Sequence, residues 1–225
     1  MNIGAQGHAQ TQQTVDDLSI EASLARHKVA LDKSSLIKAL QNPDSTVRWL
    51  AATKLASEKD NNAIALILAA EQDEKEPEAK TNMAYALALA GNDEGFHALR
   101  ETCKAGNQTL LIRLRAAKYL ARMKDDSCLP NVLEMIRLES KSRQGAILML
   151  PLFRPASNEQ RSKIREVIRA CLFDREELVR SAAASALADL KDVDGMQDLT
   201  RAIANERVDF VRQQMANSLK ALQAH

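Results

Sequence analysis

The fold of this chain is decided by the eleven residues TVRWLAATKLA, which run from Thr46 to Ala56. Related stretches return five times: EAKTNMAYALA from Glu78, LIRLRAAKYLA from Leu111, KSRQGAILMLP from Lys141, LVRSAAASALA from Leu178 and FVRQQMANSLK from Phe210. The third position is always basic, and the steps between these residues are 32, 33, 30, 37 and 32. Such a period is typical of a solenoid, in which each unit is a small helical element that buries its apolar face against its neighbours.

Composition also favours helices. Aromatic residues make up only 3% of the 225 residues, whereas Ala and Leu, the strongest helix formers, dominate the repeats. Seven glycines and five prolines are too few for the turns of an all-β protein. We therefore predict an all-α fold, an α–α superhelix of about six helix pairs.

Each repeat divides into two helices. SSLIKALQ (34–41) precedes the turn residues Asn42, Pro43 and Asp44, and Asp44 or Ser45 can cap the helix that follows. Within that second helix, Val47, Ala51 and Leu55 recur at helical spacing and predict a buried stripe. The leucines at the position of Leu55 are expected in the core: Leu55, Leu120, Leu187 and Leu219.

The basic residue of the motif has a structural explanation. In four units an acidic residue stands four positions before it: Asp44, Glu76, Glu139 and Glu176. Acid before base at this spacing stabilises a helix by about 0.3–0.5 kcal/mol. We therefore favour a role in the helix over a role in ligand binding.

The pattern V-R-x-x-A-A-x-A-L-x with an acidic turn before it resembles the short bacterial HEAT repeats, also known as phycobilin-lyase-type repeats. The resemblance covers about 34–225 and is weakest in the fourth unit, where Gly145, Pro151 and Pro155 interrupt the helix. Because proline inside a helix costs about 3 kcal/mol, an irregularity is expected near 142–160. The resemblance implies that the second helices line a concave face, with the residues just after V-R facing outward on it.

The chain is expected to have three parts. Residues 1–14 are polar and are predicted to form a disordered arm, 15–33 a capping helix, and 34–225 the HEAT-like array. No apolar stretch is long enough to span a membrane, and the first residues do not form a signal peptide. A cytoplasmic location is predicted, the alternative being an exported protein whose signal peptide is absent from this chain.

Catalysis has no motif in this sequence. The four histidines are isolated and none is followed by Glu, unlike the His-Glu pairs of HEAT-like metal hydroxylases, and no phosphate-binding loop or nucleophile motif occurs. Cys103, Cys128 and Cys171 form no C-x-x-C pair and are interpreted as buried free thiols, which favours a reducing compartment. We expect no metal, no cofactor and no enzymatic activity.

The candidate binding residues follow from the motif. Positions one, two and five after the basic residue are expected to point away from the buried stripe, and they differ between repeats while the stripe does not. We call these residues the ladder: Trp49, Leu50, Thr53, Thr81, Asn82, Tyr85, Leu114, Arg115, Lys118, Gln144, Gly145, Leu148, Ser181, Ala182, Ser185, Gln213, Gln214 and Asn217. Variation on a constant scaffold predicts a surface for a protein or peptide partner. Trp49 has an equally good alternative, packing under the N-terminal cap.

Two other functions stay open at this point. Residues 113–169 contain thirteen Lys or Arg against six acidic residues, a pattern that nucleic-acid binding would use, although a solvated mixed surface explains it more simply. The family resemblance also permits a chromophore-lyase-like or chromophore-handling role. Binding of a protein or peptide on the concave face, without catalysis, is the preferred interpretation.

Overall fold

A computed structural model describes residues 20–138 and 143–224 of the chain. Among these residues the only regular elements are helices, which confirms the predicted all-α class. The arm at 1–14 and the first part of the predicted cap lie outside the described residues. Residues 20–26 are helical, and Leu24 is fully buried there.

The helices follow the two-part repeat. They are α1 (20–26), α2 (Lys33–Ala39), α3 (Ser45–Ser57), α4 (Asn61–Asp73), α5 (Pro77–Leu89), α6 (Asp93–Lys104), α7 (Leu110–Arg122), α8 (Leu129–Leu138), α9 (Arg143–Met149), α10 (Asn158–Cys171), α11 (Glu177–Asp189), α12 (Met196–Asn205) and α13 (Asp209–Gln223). From α2 onward they form the six expected pairs, in which the odd-numbered helix is the second of each pair and carries the motif.

The chain divides into two compact units, the first ending at Thr102 and the second beginning at Cys103. In the first unit α3 and α5 pack side by side, and α2 and α4 pack against them. In the second unit α11 packs between α9 and α13, while α10 and α12 contact α11 and α13 respectively. Within each unit, second helices therefore stack on second helices.

Three of the four predicted motif leucines are in the core. Leu55, Leu120 and Leu187 are fully buried, whereas Leu219 is only partly buried. Leu219 lies on α13, which packs on α11 and α12 but has no later described helix to cover its other side. Leu222, three residues later, takes the buried place on this helix.

The ends of the second helices share a left-handed turn. Lys59, Lys124 and Lys191 have φ values of 53°, 63° and 53°, and Gly91 stands at the same place after α5 with φ 87°. A residue in this conformation just after a helix ends it by bonding back to earlier carbonyls. At the other end, the Asp44 carboxylate caps α3 by accepting from the Thr46 N–H at 2.8 Å, as predicted.

Gly95 allows α6 to begin directly against α5. A Cβ at this position would lie 2.4 Å from the Ala88 nitrogen and 2.7 Å from the Ala84 carbonyl oxygen. Both are backbone atoms, which cannot rotate out of the way. A glycine is required here because the two helices approach too closely for any side chain.

The irregularity expected near 142–160 is present. Helix α9 ends at Met149 after seven residues, and a single 3-10 turn, Leu150–Leu152, follows with Pro151 in it. Phe153, just after this turn, is buried in the second unit.

The cysteines correct one prediction. Cys103 and Cys128 form a disulfide with their Cα atoms 6.4 Å apart, and both are fully buried. Cys171 is the free cysteine, and burial raises the pKa of its thiol to about 11. The interpretation of three free thiols was wrong because the pairing arises in the tertiary structure, where the end of α6 meets the turn before α8. The argument for a reducing compartment depended on those free thiols and no longer holds.

Candidate binding surface

The basic residue of the motif joins its own repeat to the next one. Arg48 makes two bonds of 2.7 Å to the Glu74 carboxylate, and Arg180 bonds Glu206 in the same way at 2.6 and 2.8 Å. We call these two pairs the Arg–Glu clamps. Bidentate pairs of this kind are among the stronger charge-assisted contacts in proteins.

Each clamp also fixes the loops around it. A third nitrogen of Arg48 donates to the carbonyl oxygens of Asn42 and Pro43, in the turn before its own helix. The Glu74 carboxylate in turn accepts from the backbone N–H groups of Lys75 and Glu76 at 2.9 Å. Arg180 and Glu206 repeat this arrangement in the second unit.

The clamp carboxylates are 1% and 2% exposed, for Glu74 and Glu206 respectively. The bonds from Arg180 hold the pKa of Glu206 down to about 2, and those from Arg48 lower the pKa of Glu74. The basic residues thus have the structural role that we predicted. Their partners are different, since the buried acids lie 26 residues later and not four residues earlier.

The remaining motif cations are also bonded. Arg143 donates to Asp174 at 2.6 Å and to the Ile136 carbonyl oxygen at 2.8 Å. Arg113 donates to the Cys103 carbonyl oxygen at 3.2 Å, and Lys80 to that of Gln72 at the same distance. Arg212 donates to the Glu206 carbonyl oxygen at 3.0 Å. Of the acids expected to precede them, Glu139 lies outside the described residues.

The structure leaves fewer ladder residues accessible than the sequence predicted. Five of its predicted members are buried: Leu50, Thr81, Asn82, Leu114 and Ala182. They are not open to a partner, so the predicted orientation is wrong for them. A second helix packs against both its pair partner and a neighbouring second helix, and therefore buries more than the single stripe that we assumed.

In the first unit three ladder residues keep partial exposure: Trp49, Thr53 and Tyr85. Trp49 packs against the core cluster that contains Leu24, and the Thr53 hydroxyl donates to the Trp49 carbonyl oxygen at 2.8 Å. The α1 residue Glu21 pairs with Lys54 at 2.5 Å, which holds α1 on α3. Trp49 is thus partly buried against this core, and its part in binding a partner stays a prediction.

On α7, Arg115 is partly buried and Lys118 is exposed. Partial desolvation of its ammonium group lowers the pKa of Lys118, and the nearby charges of Arg122 and Arg115 lower it further. Three cations thus cluster on one face of this helix.

The most continuous part of the ladder lies in the second unit, on the stacked helices α9, α11 and α13. We call it the C-terminal ladder: Gln144, Leu148, Ser181, Ser185, Gln213, Gln214 and Asn217. All seven are exposed or partly exposed. The Gln214 amide donates to the Ser185 hydroxyl at 2.8 Å, so residues of adjacent repeats meet, and the Gln213 amide donates to Asn217 at 3.1 Å.

Apolar side chains accompany these amides and hydroxyls. Leu148 is 44% exposed, and Leu178 and Phe210, in the first turns of α11 and α13, are 49% and 50% exposed. The prediction missed the last two because it considered only positions after the basic residue. The first position of the motif gives the signal, since it is apolar in three units: Leu111, Leu178 and Phe210.

Several cations of the basic stretch 113–169 are bonded within the protein. Arg143 pairs with Asp174, Lys163 with Glu166, and Arg169 with Asp192. Arg154 and Arg161 donate to backbone carbonyl oxygens of 151–156. Other cations of this stretch are exposed on α7 and α8, namely Lys118, Arg122 and Arg137.

Two further observations concern chemistry and membranes. Within 20–138 and 143–224 no three His, Cys, Asp or Glu side chains are grouped as metal ligands would be. Over the same residues, no helix combines the length and apolar character needed to cross a bilayer.

Comparison with known proteins identifies the repeat. Residues 139–220 match the family model described as HEAT repeats, which confirms the predicted resemblance. No curated protein matches the chain.

Solved structures of helical repeat proteins resemble this chain at low sequence identity. A designed armadillo repeat protein in complex with the peptide (KR)4 is 16% identical over 83% of this chain and 98% of that chain, with a TM-score of 0.49. The complex of CpcE and CpcF of phycocyanin lyase from Nostoc sp. PCC7120 is 19% identical over 84% of this chain and 87% of that chain, with a TM-score of 0.48. Human deoxyhypusine hydroxylase in complex with glycerol is 14% identical over 96% of this chain and 100% of that chain, with a TM-score of 0.46.

Proposed function

We propose that this HEAT-like repeat protein binds a peptide segment of a partner protein along the C-terminal ladder and catalyses no reaction. The observation that supports this most is the contrast between the two sides of α9, α11 and α13. Their inner sides bury mostly apolar residues, such as Ala146, Ala183 and Met215, and their outer strip differs from one repeat to the next. A fixed scaffold with a variable strip is the usual arrangement of a repeat protein that binds.

The chemistry of the strip indicates the kind of segment. The seven C-terminal ladder residues are uncharged, and the amides and hydroxyls of the six polar ones can both donate and accept hydrogen bonds, as a peptide backbone requires. Leu148, Leu178 and Phe210 add exposed apolar area on the same helices. The partner should therefore present an extended segment with apolar side chains and little charge. This chemistry does not favour a nucleic acid.

The experiment is selection of binders from a random peptide library, followed by affinity measurements on the best peptide. The test variant is Gln213→Ala with Gln214→Ala and Asn217→Ala. The matched control removes the same kinds of side chain from the exposed sides of α10 and α12, by Gln160→Ala with Ser162→Ala and Gln197→Ala. We expect at least a tenfold weaker affinity for the ladder variant and a change below twofold for the control.

Several results would contradict the proposal. One is equal binding by the ladder variant and the wild type. Another is a library that yields no binder, or only peptides rich in acidic residues. Thermal melting of both variants within about 2 °C of the wild type would establish that lost affinity reflects lost contacts, since surface substitutions of this kind change stability little.

A further inference from the structure

A cavity of about 530 Å³ lies in the second unit, away from the C-terminal ladder. Its walls come from the segment after the 3-10 turn, from the first half of α10 and from the end of α11. This volume is in the range of sites that take small organic molecules. None of the C-terminal ladder residues lines it.

The floor of the cavity is apolar. Phe153 and Ile164 line it and are each 2% exposed, and Leu190 adds a partly buried side chain. Ile164 belongs to α10, and Phe153 and Leu190 directly follow the 3-10 turn and α11, so the ends of regular elements hold the floor in place. An apolar group placed on it would leave water without displacing any part of the protein.

The rim of the cavity is cationic. Four of its lining residues are basic, Arg154, Arg161, Arg165 and Lys191, and one is acidic, Asp189. Arg154 and Arg161 donate to backbone carbonyl oxygens, which orient their guanidinium groups but do not cancel their charge. The rim therefore keeps a positive excess.

The buried acid behind the rim does not remove this excess. Asp192 is 3% exposed and receives two bonds, of 2.7 and 2.6 Å, from Arg169. Arg165 reaches the same carboxylate only at 3.5 Å. Because Arg169 already balances Asp192, the charge of Arg165 stays available to the cavity.

Two smaller clefts show how unusual this arrangement is. They lie beside the Arg–Glu clamps, one lined by Arg48 and Glu74 and the other by Arg180 and Glu206. The arginine of each is bonded by two hydrogen bonds to the glutamate of the same cleft. In the larger cavity an apolar floor lies beside four cations, and over the described residues only Arg165 among them has an ion pair to a carboxylate, at 3.5 Å to Asp192 behind the rim.

We infer that this cavity binds a small amphipathic anion, an aryl or acyl carboxylate. Its apolar body lies on Phe153, Ile164 and Leu190, and its carboxylate meets Lys191 and Arg165. A polyanion fits less well, because these cations converge on one concave site and do not follow a track along the surface. The inference is independent of the ladder and stands whether or not the ladder binds a peptide.

The test is calorimetric titration of the full chain with 2-naphthoate as the probe. We expect one site per chain, and at least tenfold weaker binding of 2-naphthamide, which keeps the ring and lacks the charge. Inorganic phosphate, which lacks the apolar body, should bind at least tenfold more weakly as well. Lys191→Gln should weaken 2-naphthoate binding about tenfold, since one charge contact is removed.

Lys124→Gln is the matched control. Lys124 also follows a second helix in the left-handed conformation, and it does not line the cavity. It should bind 2-naphthoate within twofold of the wild type. A second measurement needs no variant: methyl NMR spectra of the wild type should show shifts on 2-naphthoate addition at Ile164 and Leu190, and none at Ile67 in the first unit.

Four results would each overturn the inference. They are unchanged affinity in Lys191→Gln, an equal loss in Lys124→Gln, phosphate binding as tight as that of 2-naphthoate, and methyl shifts elsewhere than at the cavity. Displacement of 2-naphthoate by a short DNA duplex would assign the cations to a polyanion and would overturn it too.

Discussion

A carboxylate that is removed from water needs a cation that stays bonded to it. Glu74 and Glu206 satisfy this condition through an arginine of the preceding repeat, and the same arginine holds the turn before its own helix. One side chain thus connects three segments of the chain. Loss of either partner leaves an unpaired charge in a buried position.

The Glu206 clamp should make stability depend on pH. Arg180 holds the pKa of Glu206 at about 2 against an ordinary value of 4.5, so the unfolded chain takes up this proton first as the pH falls. The stabilisation, about 3 kcal/mol, is complete above pH 4.5 and is lost as the pH falls towards 2. Between pH 7 and pH 3, this group should lower the free energy of unfolding by about 2 kcal/mol, which urea titrations at the two pH values measure.

Glu206→Gln should remove this contribution to the loss of stability between pH 7 and pH 3. It should also lower the free energy of unfolding at pH 7 by about 3–5 kcal/mol, because Arg180 loses its charge partner. Glu159→Gln, on the exposed start of α10, should behave like the wild type. If Glu206→Gln and the wild type lose equal stability between pH 7 and pH 3, the clamp does not have this role.

The sequence was sufficient to assign the basic residues a structural role but not to find their partners. The spacing rule compares residues on one helix, and Glu74 and Glu206 lie on loops of the following repeat. A search between repeats would have found them, since both stand 26 residues after the arginine. Glu139 stands at the same distance from Arg113, although it is outside the described residues.

At the scale of the helix, stacking decides which positions are open. The sequence pattern identified the buried stripe through Val47, Ala51 and Leu55, and all three are buried. It did not identify the residues buried on either side of this stripe. Helical periodicity describes a single helix and does not say how many neighbouring helices pack against it. Leu50 and Ala182 lie on such a flank, and both were expected to be exposed.

Two glycines in helices should respond to alanine in opposite ways. Gly95→Ala places a methyl group within 2.7 Å of backbone atoms of α5, so it should destabilise the first unit by at least about 1–3 kcal/mol. Gly145→Ala, on α9, meets nothing closer than 3.8 Å and should stabilise by about 0.5–1 kcal/mol through helix propensity. Denaturant titration of both variants measures the difference. A Gly95→Ala protein as stable as the wild type would show that α6 does not start so close to α5.

At the scale of the whole molecule, the six helix pairs form two units, and a disulfide lies within the second. Cys103 begins this unit, and the bond to Cys128 closes a loop of 25 residues. A cross-link of this size stabilises a protein by about 3–4 kcal/mol in the chain-entropy model. Spacing alone could not reveal it, because neither cysteine belongs to a recognisable pair pattern.

Counting reactive thiols tests the disulfide. Alkylation in guanidinium without reductant should modify one cysteine, Cys171, and alkylation after reduction should modify all three. In the folded protein Cys171 should react slowly even at pH 8, because burial raises the pKa of its thiol to about 11. Mass spectrometry gives the number of adducts. Three adducts without reductant would show that Cys103 and Cys128 are not joined.

The Arg–Glu clamps also set an order of events during synthesis. Each arginine leaves the ribosome before its glutamate, which follows 26 residues later. At about 5–20 residues per second, a newly made helix pair waits one to several seconds with its cation unpaired and one apolar flank in water. The nascent chain is therefore most prone to aggregate at its growing end. A pause in synthesis while Arg48 is outside the ribosome and Glu74 is still inside it would lengthen that exposure, whereas a pause after Glu74 has emerged would act on a clamp that can already close.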